Sequence, residues 1–407
     1  MAKYEIKNGV GIIPEGTTGI DPKAFEGCTD LKSIVIPNSV EEIGESAFEG
    51  CTGLTNIIIP DSVSEIGRNA FYSCTGLASV VIPDSVKIIG ERTFKDCKAL
   101  SNIVIGKGVK KIGNYAFEFC SNLPKVVIPK SVTEIGSCAF RGCRSLASVN
   151  IPDSVKEIGE AAFSICTHLV SVVIPDSMEE IKEKCFLGCK SLTNLVIGNS
   201  VEKIGVDAFS GCMSLTSLII PDSVTEIGSG AFERCEGLTN VVIPDSVKTI
   251  GSGAFERCVG FTSIVIPDSV KTIGSGAFEH CEGLTSIVIP DSVKKIDPLA
   301  FINLRSLTDI KVSKGNKVYD SRDNCNAIIK TKSNTLVVGC KNTIIPDSVT
   351  EIGSWVFSHC TGLTSIVIPD SVKKIGENAF EDCTGLTSIV IPGSVKSIGL
   401  GAFQNCI

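Results

Sequence analysis

A 23-residue period runs through almost the whole chain and limits the possible folds more than any other feature of the sequence. Isoleucine precedes each in-phase phenylalanine by five positions, and cysteine follows three positions later in 15 of the 16 repeats. A unit this short cannot bury its own apolar residues, so the copies must stack on one another. The sequence therefore predicts one solenoid over residues 1–407, in place of the two or three globular domains that this length would otherwise suggest. The in-phase residues are Phe25, Phe48, Phe71, Phe94, Phe117, Phe140, Phe163, Phe186, Phe209, Phe232, Phe255, Phe278, Phe301, Phe357, Phe380 and Phe403.

One repeat shows how the unit is expected to fold. Ile57 and Ile59 lie two residues apart, which places both side chains on the same face of a short strand. Pro60 begins a turn, because its φ is fixed and the Asp and Ser that follow can hydrogen-bond the local backbone. The spacing of Phe71 and Cys74 is that of one helical turn. Each repeat therefore predicts a strand, a turn and a helical turn.

The full repeat pattern is Leu-x-x-Ile-x-Ile-Pro-x-Ser-Val-x-x-Ile-Gly-x-x-Ala-Phe-x-x-Cys, and it resembles the BspA-type leucine-rich repeat of bacterial and protist surface proteins. The resemblance implies a repeat solenoid of the leucine-rich-repeat class, with a parallel β-sheet on the concave side and short helical turns on the convex side. It also implies adhesion or protein binding without a cofactor, outside the cell or at its surface. The first residues lack the apolar core of a signal peptide, so a cytoplasmic location stays open.

The period is interrupted once and changes at both ends. The insertion is expected to be either a tolerated surface loop, or a contact element or bend. Its predicted strands are Lys317–Ser321, Ala327–Lys330 and Thr335–Val338. The last repeat has no polar cap, which indicates either that the sequence continues in a longer protein or that this end docks on a partner or on another copy, end to end. The predicted parts are an N-terminal cap at 1–11, regular repeats at 12–301, an irregular repeat with a hairpin insertion at 302–345, and regular repeats at 346–407.

The in-phase cysteines allow three interpretations. They fit best as buried free thiols that act as small apolar side chains. Disulfides between neighbouring repeats are disfavoured because stacked side chains point the same way, and zinc is disfavoured because parallel thiols do not converge on one point. Cys325 and Cys340 lie outside the period, flank the hairpin, and would be able to pair in an exported protein.

The sequence predicts no catalytic, cofactor-binding or metal-binding residues. His168, His280 and His359 lie several repeats apart, so they cannot converge on a substrate. One in-phase Asp per repeat supplies too few oxygens for calcium and is typical of turn chemistry. A net charge of −7 gives no footprint for nucleic acid, and no apolar run is long enough for membrane insertion.

The strand residue between the two inward positions must point outward, and in most repeats it is Val or Ile. This column predicts a protein-binding face, although strand propensity alone would also favour branched residues there. Tyr319 and Arg322 in the hairpin are the second candidate. The leading hypothesis is a non-enzymatic binding or adhesion module for a host or bacterial surface protein, and the alternative is a passive spacer or self-associating scaffold. The candidate residues of the column are Val173, Val196, Ile219, Val242, Val265 and Val288.

Overall fold

The computed structural model describes residues 4–406 and consists of short strands joined by turns. Each regular repeat contributes up to two strands, a long one of three or four residues and a short one of two residues that ends at the conserved Ile-Gly step of the pattern. The architecture is a parallel-strand solenoid of about 17 turns, which confirms the predicted fold class. The chain divides into two compact units, described one at a time below. The prediction of a single solenoid domain over 1–407 stays a prediction.

The first unit comprises residues 4–201 and 211–213. Its first two strands, Ile6–Lys7 and Val10–Ile12, form an antiparallel pair, and the second of them ends just beyond the predicted cap at 1–11. Residues 1–3 of that cap lie outside the described part of the chain. The long strands that follow are Ser33–Val35, Asn56–Ile58, Ser79–Ile82, Asn102–Ile105, Lys125–Val127, Ser148–Asn150, Ser171–Val173 and Asn194–Val196. The short strands are Gly19–Ile20, Glu42–Ile43, Glu65–Ile66, Ile88–Ile89, Lys111–Ile112, Glu134–Ile135, Glu157–Ile158 and Glu180–Ile181.

The second unit comprises residues 202–210 and 214–406. Its long strands are Ser217–Ile219, Asn240–Val242, Ser263–Val265, Ser286–Ile289 and Asp309–Val312. Its short strands are Lys203–Ile204, Glu226–Ile227, Thr249–Ile250, Thr272–Ile273, Lys295–Ile296, Glu351–Ile352, Lys374–Ile375 and Ser397–Ile398. The insertion adds the strands Tyr319–Asp320, Ile328–Lys330 and Thr335–Val338, each within a predicted segment, and one turn of 3-10 helix at Arg322–Asn324.

A stack of phenylalanine rings forms the centre of each unit. The rings of Phe48 and Phe71 are almost parallel, with centroids 5.2 Å apart and an interplanar angle of 4°. In the first unit Tyr4 extends the stack by one ring, since its centroid lies 5.6 Å from that of Phe25. Parallel, in-register strands place the same residue type one layer apart, so the 23-residue period becomes a set of side-chain columns.

The predicted helical turns are wrong. Within the segment around Phe71, Asn69 and Ser73 have left-handed backbone, with φ of 56° and 57°. Positive φ recurs two residues before and two residues after the in-phase Phe in every repeat except at Leu299. The backbone donors therefore alternate: the amide of Cys74 donates to Phe71 O at 3.2 Å, whereas the amide of Phe71 donates to the next repeat. The result is a series of turns bonded to neighbouring repeats, and we call this segment of each repeat, from Gly67 to Cys74 in this copy, the turn side.

Two columns of small residues explain how closely the repeats approach. At Gly67 a Cβ would lie 2.6 Å from the amide nitrogen of Glu45 in the preceding repeat, so this contact requires glycine. The buried thiol of Cys74 donates to the carbonyl of Phe48 at 3.0 Å, and the same bond joins Cys166 to Phe140 at 3.2 Å. Burial of the cysteine column is confirmed except at Cys28, Cys360 and Cys406, which are partly exposed, and the structure adds a hydrogen bond that the sequence did not indicate. Burial raises the pKa of the Cys189 thiol to about 12, so it stays protonated at neutral pH.

Candidate functional site

The long-strand face, meaning the outward side of the long strands, carries the predicted apolar column. Side chains alternate strictly: Val265 is 77% exposed, whereas its neighbours Ile264 and Ile266 are 6% and 5% exposed. The outward orientation of the column is therefore confirmed. Ser263, two residues before Val265 on the same strand, is exposed and polar, so the apolar column has a polar border.

The structure brings the candidate residues together within each unit. In the first unit Val173 and Val196 are paired in register on neighbouring parallel strands. In the second unit Ile219 pairs with Val242, and Val265 pairs with Val288. Neighbouring strands lie about 4.8 Å apart, so each pair forms continuous apolar surface. The next residue after Val288 in its column is Lys311, at which the apolar surface of these strands ends.

The sequence analysis missed Ile344, which is 71% exposed on the same side of the second unit. It lines a surface groove of about 560 Å³ together with Val367 and Pro369. The insertion separates it from the repeats before, but Ile344 precedes Val367 by 23 residues and is in phase with the repeats after. The local pattern Ile344-Ile345-Pro346 also repeats Ile58-Ile59-Pro60, so the sequence contained two indications of its outward position.

Tyr319, one of the two predicted contact candidates in the insertion, lies in the interior. Its side chain is buried, and its hydroxyl accepts a hydrogen bond of 3.0 Å from the backbone amide of Ile296. Tyr319 follows Ile296 by 23 residues, so it occupies the inward position of the isoleucine column. The pKa of its phenol is raised because the ring is desolvated.

Arg322 is partly exposed, but its guanidinium group is occupied by bonds within the insertion. Nε and Nη2 donate to the two carboxylate oxygens of Asp320 at 2.7 and 2.6 Å, and Nη1 donates to Asn334 Oδ1 at 2.9 Å. The pKa of Asp320 is lowered by the hydrogen bonds from Arg322 and Thr331, which outweigh the desolvation of its carboxylate. This geometry indicates that Arg322 holds the insertion together.

Asn326 shows how the insertion closes the edge of a sheet. Its Oδ1 accepts from the amide of Ile310 at 2.7 Å, and its Nδ2 donates to the carbonyl of Thr308 at 2.6 Å. One side chain thus provides a donor and an acceptor along the edge of Asp309–Val312. Unpaired strand edges invite unwanted pairing, so this cap protects the point at which the regular repeats stop.

His359 lies against a serine on one side of its ring and an aspartate on the other. His359 Nδ1 lies 2.8 Å from Ser358 Oγ and its Nε2 lies 3.0 Å from Asp382 Oδ2, an arrangement that sequence spacing did not indicate. Ser358 is only 5% exposed, so its hydroxyl is not presented to a substrate. Asp382 follows His359 by one period, and the pair links neighbouring repeats.

No group of three or more His, Cys, Asp or Glu side chains is arranged to hold a metal ion in residues 4–406. Across the same residues, no helix has the length and apolarity that a membrane crossing requires.

The sequence matches one family model over nearly its whole length. The model is described as "BspA type Leucine rich repeat region (6 copies)", and the matched residues are 11–124, 110–239, 225–336 and 327–407. No curated protein matches the chain.

Solved structures of bacterial proteins are also similar to this chain. A leucine-rich repeat protein from Bacteroides ovatus ATCC 8483 is 27% identical, with 98% of this chain and 87% of that chain covered and a TM-score of 0.48. A leucine rich cell surface protein from Faecalibacterium prausnitzii A2-165 is 30% identical, with coverages of 73% and 83% and a TM-score of 0.48. The leucine-rich repeat protein of T. pallidum is 37% identical, with coverages of 39% and 77% and a TM-score of 0.38.

Proposed function

Since the chain belongs to the family of BspA-type leucine-rich repeat proteins, we propose that it is a non-enzymatic protein-binding module. Its contact surface in this proposal is the long-strand face. Leucine-rich repeat proteins are commonly used for protein binding or surface roles, and the fold is generally non-enzymatic. Relatives of this type are typically cell-surface proteins, so we place the proposed partner on a host or bacterial surface.

The uncovered apolar column carries this proposal. Val265 and Ile219 are each more than two-thirds exposed, and each stands beside a second apolar residue on the neighbouring strand. Water-facing strand positions normally carry polar residues, and contiguous exposed apolar surface marks interaction sites. The column lies on short, closely spaced strands whose backbone is fixed by the stack, so little order has to be gained on binding.

The class of partner follows from the shape and chemistry of the face. Its apolar residues form a narrow stripe with a polar border, and the groove at Ile344 and Val367 is open to solvent, whereas small-molecule sites enclose most of their ligand. Protein interfaces have a similar layout, with an apolar centre and a polar rim.

The first experiment places charge in the column and measures adhesion. The variant Val196→Lys/Val242→Lys/Val288→Lys should bind cells of a responsive host or bacterial strain at least about tenfold more weakly, since it puts unpaired charges into the apolar centre. Fluorescently labelled protein and flow cytometry give the readout, and prior protease treatment of the cells should abolish binding by the unmutated chain. The matched control is Val206→Lys/Val259→Lys, which changes two exposed valines outside the column.

Two outcomes would contradict the proposal. If the folded triple variant binds like the unmutated chain, the long-strand face is not the contact surface. If the unmutated chain binds no protease-sensitive component on any surface tested, the passive spacer or scaffold becomes the better description.

A further inference from the structure

Two aromatic residues on the turn side of the first unit occupy left-handed positions. Tyr115 has φ of 58° and Phe119 has φ of 60°. Most other repeats place small or polar residues in these slots, such as Asn69, Gly27 and Gly50, and only the repeat with Tyr115 and Phe119 has Phe, Tyr or Trp in both slots. A bulky side chain in left-handed backbone is strained, and the repeat fold does not require it here. Strained residues of this kind cluster at functional sites.

Cations surround the ring of Tyr115. The guanidinium carbon of Arg92 lies 5.1 Å from its centroid, and Lys95 Nζ lies 5.5 Å from it. The same ammonium group lies 5.9 Å from the centroid of Tyr72. The half-buried rings are thus held by cation–π contacts from neighbouring repeats.

A buried carboxylate fixes the cations. Glu118 is only 2% exposed, and it forms ion pairs with Lys95 at 2.9 Å and Arg141 at 3.3 Å. Arg141 also lies over the ring of Phe119, 5.8 Å from its centroid. A Cβ at Gly142 would overlap that ring, so the glycine leaves the space that Phe119 fills. The side chains are therefore ordered before any partner arrives.

We propose that this surface, the Tyr115 cluster, binds an acidic segment of a protein partner that also carries apolar or aromatic side chains. The cluster consists of Tyr72, Arg92, Lys95, Tyr115, Phe119 and Arg141. Tyrosine and arginine dominate the residues that carry binding energy at protein interfaces, and ordered side chains lose little freedom on binding. The site is on the turn side, so it is separate from the long-strand face and does not depend on the function proposed for that face.

Charge complementarity selects the partner. Arg92 and Arg141 remain about 40% exposed, whereas the carboxylate between Lys95 and Arg141 is hidden. Glu91 pairs with Arg92 at 2.8 Å at the edge of the cluster, and Asp96 pairs with Lys98 at 3.7 Å. Partner carboxylates would therefore compete with these two acids. A nucleic acid would also meet cations and rings, but a whole-chain charge of −7 repels a long polyanion more than a short acidic segment.

The test uses glycine to remove the rings without harming the fold. The variant Tyr115→Gly/Phe119→Gly relieves two strained positions, so it should be folded and at least as heat-stable as the unmutated chain. Its affinity for a short random copolymer of glutamate and tyrosine, measured by biolayer interferometry, should fall at least about tenfold. The matched control, Ala161→Gly/Ile165→Gly, changes the same two left-handed slots two repeats later and should bind like the unmutated chain.

Charge variants and alternative ligands distinguish an acidic protein segment from other partners. Arg92→Gln should weaken binding of the copolymer and reduce its salt dependence, and the matching copolymer of lysine and tyrosine should not bind. Equal affinity of the Tyr115→Gly/Phe119→Gly variant and the unmutated chain would overturn the proposal. Tighter binding of oligodeoxythymidylate than of the acidic copolymer would overturn it in favour of a nucleic-acid site.

Discussion

Left-handed backbone at two positions of each repeat decides which substitutions the turn side tolerates. A residue with a Cβ in this conformation costs about 1–2 kcal/mol, whereas glycine adopts it without strain. Gly253, with φ of 61°, has room for a Cβ, because the nearest atom is the flexible carboxylate of Glu256 at 3.3 Å. Gly251 is the opposite case: its backbone is unstrained, but a Cβ would lie 2.6 Å from the carbonyl carbon of Gly228.

The two glycines should therefore respond differently to alanine. Gly253→Ala is expected to lower the free energy of unfolding by about 1 kcal/mol through strain alone. Gly251→Ala is expected to cost about 3 kcal/mol or more, because neighbouring backbones must move apart. Urea denaturation of both variants checks the order, and Ala161→Gly, in the same slot as Gly253, should be neutral or stabilising. A smaller loss in Gly251→Ala than in Gly253→Ala would contradict the close approach of the repeats.

At the scale of one structural element, three neighbouring repeats of the second unit have a glutamate directly after the in-phase phenylalanine. These residues form a column of acids, Glu233, Glu256 and Glu279. Desolvation raises the pKa of Glu233, and the nearby charges of Glu256 and Asp207 raise it further, while Arg234 and Arg257 oppose the shift. A raised pKa means that the folded state binds more protons than the unfolded state in the window between the ordinary and the raised value. The free energy of unfolding contributed by this group therefore falls as pH rises through that window.

Glu233→Gln should remove this pH dependence. We expect the variant to gain less than about 1 kcal/mol at pH 7, because solvent screens this partly exposed group, and to gain less at pH 4. Thermal unfolding across pH 4–7 is the measurement. Glu381→Gln is the control, since Ser358 and Gln404 are its neighbours in the column. A Glu233→Gln variant that is less stable than the unmutated chain at pH 7 would show that Glu233 is stabilised by Arg234 and Arg257 instead.

The irregular repeat shows what sequence patterns can and cannot reveal about elements. Apolar and branched residues bounded by turn-like segments located its three strands, including Ile328–Lys330, in which two adjacent residues are buried. Tyr319 was chosen as a contact candidate although it is buried, since the insertion concealed that this residue is still in phase with Ile296. The edge cap by Asn326 depends on contacts 16 and 18 residues away, which no local pattern encodes.

The helical turns were mispredicted for a related reason. An i, i+3 spacing of apolar residues fits a helix and a series of turns equally well. The information that separates them is the recurrence of Gly, Asn and Asp in two fixed slots, as at Gly230, Asn69 and Asp96. The outward column was predictable because side chains alternate along a strand, so the inward residues identify the outward ones. The Tyr115 cluster was not, because it combines residues from several repeats.

At the scale of the whole molecule, the repeat itself is the unit of stability. Residues 244–266 and 267–289 are nearly identical, and their contacts with neighbouring repeats are of the same types. Neighbouring regular repeats such as these bond to each other through the same phenylalanine, glycine and cysteine columns. Stability in such arrays is close to a sum over repeats and their interfaces.

Removal of one full period should therefore be tolerated. Deletion of residues 244–266 joins Ile243 to Pro267 in phase, and the chain should remain folded with an unchanged circular dichroism signal per residue. Deletion of residues 244–265, one residue fewer, would shift every following strand by one position and expose its apolar side. Circular dichroism and size-exclusion chromatography distinguish the two. Equal behaviour of both deletions would contradict a stack held in strict register.

The two left-handed slots of each repeat accept many different residue types on the turn side. Across the repeats they hold Lys, Arg, Tyr, Cys, Asp, His and Trp, as in Lys184, Arg257, Tyr115 and Trp355. The side chains that form the core lie elsewhere in the period, so these positions can diversify while the framework stays constant. A chain built this way can acquire a new recognition surface by point mutation and multiply it by duplication of one repeat.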